Sequence, residues 1–108
     1  MEICMTIEIA SYRFEGPYTT TQKLEDRSGL YAILRNTSTN QYAVIDIGES
    51  HTVKSRVENH DRKMCWQRQC DNGVIYYAVY YTPGVQQLSR LSIEQIIRQK
   101  YDPPCGKQ

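Results

Sequence analysis

The sequence predicts an α+β domain, a small and mostly antiparallel sheet flanked by helices. Three observations carry this. Apolar residues alternate with a period of two at the start of the chain and again between residues 29 and 47. Two later segments carry apolar residues at helical spacing, and an unbroken apolar and aromatic run, "VIYYAVYY", lies between them. The resulting order is strand, hairpin, helix, strand, helix. At 108 residues the chain has room for one core and not for two independent ones, so residues 1–108 are read as a single domain.

The first strand places Ile3, Met5, Ile7 and Ile9 on one face and Glu2, Cys4, Thr6 and Glu8 on the other. "EGPYTTTQKLEDRSG" reads as an irregular connection. "GLYAILRN" and "QYAVIDIG", joined by the turn-forming "TSTN", form a hairpin. After Ser50, the expected N-cap, the period becomes helical. Val53, Val57 and Met64 mark one face in "HTVKSRVENHDRKM", with His60 inside that stripe and Arg56 one turn earlier on its flank. "CDNG" breaks the helix, and "VIYYAVYY" suits a central strand covered on both faces. A second helix, Ser89 to Tyr101, should bury Ile93, Ile96, Ile97 and Tyr101, with Glu94 at the edge of the stripe and "DPP" ending it.

Thirteen Lys and Arg against twelve Asp and Glu leave a net charge of +1. No overall field then draws the chain to nucleic acid or an anionic membrane, and any polyanion contact must come from a local cluster. "DRKMCWQRQ" offers one through Arg62, Lys63 and Arg68, unless it is a solvated loop whose Trp66 faces the core. No apolar run spans a bilayer and the acidic start is unlike a signal peptide, so a cytoplasmic protein without membrane contact is expected. The four cysteines lack paired C-x-x-C spacing, so reduced thiols and no structural zinc are expected.

Asp46 poses the functional question, because it stands between two isoleucines one step from a glycine turn. Tyr42, Val44 and Asp46 share one strand face; Ala43, Ile45 and Ile47 share the apolar one. An even hairpin loop puts Tyr31 directly across from Asp46, an odd loop across from Ile45. The even register is expected because it alone gathers both aliphatic sets on one side. Asp46 is then either a hydrogen-bonded cap at the sheet end or part of a site with Tyr31.

On these residues the chain resembles the GIY-YIG nuclease superfamily over roughly residues 28–106. "GLY" at Gly29 to Tyr31 looks like the first motif and "DIGES" at Asp46 to Ser50 occupies the place of the second. "RVENH" supplies Arg56 and His60, and "LSIEQIIRQKYDPP" looks like the helix that carries the metal-binding glutamate, here Glu94. The resemblance implies a three-stranded, mostly antiparallel sheet flanked by helices, with residues 1–27 as an N-terminal extension that adds one strand. It implies a divalent-metal-dependent endonuclease acting on DNA. Tyr31 would be the general base, Arg56 would grip the phosphate, His60 would partner the tyrosine, and Glu94 would hold one Mg²⁺ or Mn²⁺. Arg62 and Lys63 are added as substrate-binding cations, and Asp46, which replaces the second motif's tyrosine, as a second metal ligand. The alternative is an inactive module of this fold that binds nucleic acid or protein. A catalytic domain this small would need a second copy to cut both strands of a duplex.

Overall fold

The structure, a computed structural model, describes residues 5–106; Glu2, Ile3 and Cys4 of the expected first strand lie outside that range. The elements are β1 (Thr6–Ile9), β2 (Tyr12–Tyr18), β3 (Gly29–Ser38), β4 (Gln41–Ser50), α1 (Val53–Glu58), α2 (Lys63–Gln69), β5 (Tyr76–Tyr81) and α3 (Gln87–Tyr101). All five strands form one antiparallel sheet in the order β1-β2-β5-β3-β4. The α+β class is as expected, while the three-stranded sheet with one added strand undercounts it. The "EGPY" stretch read as irregular belongs to β2, whose pairing with β5 makes the N-terminal hairpin part of the same sheet. Its turn, Ala10 and Ser11 at φ 52° and 70°, carries no glycine or asparagine to announce it. Met5, just before β1, is exposed, while Ile9 is buried and Ile7 packs partly against the core.

The strand "VIYYAVYY" does lie centrally, paired with β2 on one side and β3 on the other. Its two faces serve two cores. Tyr31, Ile33, Ile45, Val79, Val53, Val57 and Trp66 pack beneath α1 and α2. Ile9, Phe14, Leu30, Ala32, Leu34, Val44, Ile47 and Ala78 pack around Ile97 of α3. Ile45 and Ile47 were expected on one face, but they fall in different cores because Ile45 is the extra residue of a bulge: Ile33 pairs with Asp46 and Leu34 with Val44. The register also slides, so that Tyr31 faces Gly48 rather than Asp46, although all three stay on one side of the sheet.

The single expected helix after Ser50 is two short ones. Ser50 ends β4, Thr52 is the N-cap of α1, and His60 sits in the break before α2. Met64 is consequently exposed rather than buried, and Trp66 takes the core position. On α3, Ile97 is buried, whereas Ile96 and Tyr101 remain partly exposed, at 48% and 37%. Asp102 caps α3 in the left-handed conformation before the prolines. A disulfide joins Cys65 to Cys105, overturning the expectation of reduced thiols there; Cys70 is a free, buried thiol. Among the described residues no helix is long and apolar enough to cross a membrane.

Candidate functional site

The site is built along β4, an edge strand of the sheet. Gly48 is where it starts: a Cβ there would lie 2.2 Å from Tyr31 Oη, so only glycine lets the Tyr31 ring lie across the strand. The Tyr31 hydroxyl then meets His60 Nε2 at 2.8 Å. His60 is fixed from its other side, where Nδ1 accepts the Arg62 backbone N–H at 3.0 Å, and its ring lies 4.7 Å from that of Trp66.

This geometry assigns the protons. Burial, then the nearby Arg56 and Arg62 guanidinium groups, push the His60 pKa down to about 4, outweighing Asp46 and Asp61. His60 is therefore neutral at pH 7. With Nδ1 occupied as an acceptor, its one proton sits on Nε2 and is donated to Tyr31 Oη. Burial pushes the Tyr31 pKa up to about 12, against the pull of Arg56 and Arg62. Tyr31 thus remains a buried phenol whose oxygen accepts from His60 and which keeps its own proton.

Arg56 stands at the exposed border of this pair, donating to the exposed Asp61 at 3.2 Å and hydrogen-bonding with the Tyr31 hydroxyl on its inner side. Lys63 instead donates to the Glu58 carbonyl. Arg62 turns inward to Asp46.

Asp46 is wholly buried and fully engaged. Its Oδ2 accepts from Arg62 Nε and Trp66 Nε1, each at 2.7 Å. Its Oδ1 accepts from the Ile47 N–H at 2.8 Å, Arg98 Nη2 at 3.0 Å and Arg62 Nη2 at 3.3 Å. Two guanidinium groups and an indole answer the question of what compensates this carboxylate. Glu94 belongs to the same chain of charges but at one remove: it holds Arg98 Nε at 3.1 Å. α3 packs on the opposite face from Tyr31, and Arg98 reaches round the β4 edge, donating to the Ile47 carbonyl as well as to Asp46. Glu94, Arg62, Arg98 and Pro103 line a cleft of about 360 Å³. A second cleft, with Ser50, His51, Arg56 and Arg90, lies at the C-terminal end of β4.

The structure therefore brings together Tyr31, His60, Arg56, Arg62 and Asp46, and leaves Glu94 outside their immediate contacts. Gly48, Trp66 and Arg98 are the members that sequence reading missed; Arg98 was signalled only by its spacing of four from Glu94. As arranged, the carboxylates do not fit a divalent ion, since every acceptor of Asp46 faces a donor and Glu94 faces a guanidinium. Among the described residues no group of three or more His, Cys, Asp or Glu is gathered to hold a metal. Comparison with family models, curated proteins and solved structures gives no match, so the reading below stands on this geometry.

Proposed function

We propose that the chain is a GIY-YIG-like nucleic-acid-binding domain that engages a phosphodiester of DNA through Arg56, at the border of the buried Tyr31–His60 pair. The observation that carries this is the proton assignment. A buried phenol that keeps its proton offers no base to a water, and the guanidinium at its border, ion-paired to an exposed aspartate, offers donors to a phosphate oxygen. Arg56 exchanges Asp61 for phosphate at small cost, because an exposed pair of this kind contributes at most about 1 kcal/mol. The expected result is salt-sensitive DNA binding without strand cleavage. Arg56→Ala should weaken it about tenfold and lower the salt slope by about one, with little change in Tm. Tyr31→Phe should weaken it less. DNA affinity that neither substitution alters would overturn the reading.

One observation favours a second reading, endonuclease activity: Glu94 lines the same cleft as Arg62. Plasmid nicking with Mg²⁺ or Mn²⁺ that both Tyr31→Phe and Glu94→Ala abolish would select it over simple binding.

A further inference from the structure

Segment 103–106, which follows α3, is folded against the β4 edge. The Cys105 N–H donates to the Ile45 carbonyl at 3.0 Å, and the Cys105 carbonyl accepts from Arg98 Nη1 at 3.3 Å. Gly106, at φ +81°, lies so close that a Cβ would meet Arg98 Nη2 at 2.8 Å and Asp46 Oδ1 at 3.1 Å. The segment is thus the cover that keeps water from the Asp46 carboxylate. One covalent bond ties it down, the disulfide from Cys105 to Cys65, and Cys65 immediately precedes Trp66, the residue that donates its indole proton to Asp46.

We propose that the Cys65–Cys105 disulfide is a thiol-operated latch: its reduction by a dithiol lets segment 103–106 lift from β4 and opens the arginine cage around Asp46 without unfolding the sheet. Of the two cysteines Cys65 is the less buried, while Cys105 is wholly buried, so Cys65 is the side from which a thiol approaches. A thiolate of the dithiol attacks Cys65 Sγ, the S–S bond breaks, and Cys105 leaves as a thiolate that takes a proton. The second thiol of the reductant then attacks the mixed disulfide, closing the reductant's own disulfide and releasing Cys65. Two electrons pass from the dithiol to the protein. Cys70, buried and with its thiol pushed above the usual range by that burial, is a poor internal competitor. The sheet has its own ladders and the core around Ile97 is separate from the segment, which meets the other core only at its margin through Cys105 and Cys65 and is otherwise held by few bonds.

Trp66 is the only tryptophan in the chain and reports on the cage directly. Full-length protein, oxidised or reduced with dithiothreitol, is compared by iodide quenching of Trp66 and by hydrogen exchange of the Cys105 amide, with thiols counted after denaturation. On reduction, Trp66 quenching should rise severalfold and Cys105 exchange should accelerate at least tenfold, while β3 and β5 amides keep their protection. The Cys65→Ser, Cys105→Ser double variant should behave as the reduced protein and ignore reductant. Unchanged Trp66 and Cys105 signals after complete reduction would overturn the latch. So would concerted loss of protection across the sheet, which would make the bond a global staple, or four titrating thiols in protein never exposed to reductant. No DNA is used, so this test is independent of the phosphodiester reading.

Discussion

Replacing Asp46 by asparagine keeps the shape of the side chain and removes its charge. In either orientation the new amide NH₂ faces donors: Arg62 and Trp66 at one oxygen position, Ile47, Arg98 and Arg62 at the other. Breaking a buried ion pair from one side costs about 3–5 kcal/mol. The two arginines keep 29% and 21% of their side chains exposed and can rehydrate in place, so the low end, about 3 kcal/mol, is expected. At about 4–8 °C per kcal/mol for a domain of this size, Tm should fall by roughly 12–24 °C. Urea unfolding followed by Trp66 fluorescence measures the free energy without adding salt, and an unchanged m-value would show that both states kept their compactness. A loss below about 1 kcal/mol, or a gain, would refute the view that Asp46 is the electrostatic centre of the fold here. A difference between wild type and variant that appears only with Mn²⁺ would refute it too, by making Asp46 a metal ligand.

Gly48→Ala should expel the Tyr31 ring from its place and cost about 2–4 kcal/mol, read as a lower urea midpoint together with loss of the Tyr31–His60 contact by NMR; a neutral substitution would mean the ring can move freely. His60, held near 4 in the fold against about 6.5 unfolded, makes the unfolded chain the better proton acceptor between those values. Stability from this group is therefore complete above about pH 6.5 and is lost as the pH falls toward 4, by about 2 kcal/mol between pH 7 and 4.5. His60→Gln should flatten that slope in urea titrations at stepped pH, and an equal slope in both proteins would remove the assignment.

The α+β class, the central aromatic strand and the α3 position were legible because each rests on a periodicity several residues long. The hairpin turn at Ala10 and Ser11 was not, since neither residue advertises a positive φ. The bulge at Ile45 was hidden for a different reason: one extra residue between two apolar neighbours leaves the alternation looking intact while it moves Ile45 to the other core. Within the site, the residue types at Tyr31, Arg56, His60 and Asp46 marked a cluster, and the structure places them near one another. The use to which Asp46 is put was not readable, because its partners Arg62, Trp66 and Arg98 come from the N-cap of α2, from α2 itself and from α3, all distant in sequence. A carboxylate's sequence neighbours do not say whether it will face a metal or a guanidinium. The break between α1 and α2 at His60 is of the same kind: the apolar spacing continued through it, but Trp66 rather than Met64 won the core position.

α3 touches both ends of the strand order through residues set at fixed intervals along one rod. Arg90 holds Glu49 and Arg98 holds Asp46 on β4, and the Tyr101 hydroxyl accepts the Ala10 N–H from the turn between β1 and β2. Each added residue turns a helix by about 100° and lengthens it by 1.5 Å. An insertion between Arg90 and Tyr101 would keep one of these grips only by twisting the others off their partners. The outer side of the same helix, with Leu88 and Ile96 exposed, has no such constraint. The helix can therefore change many of its letters, but not their number.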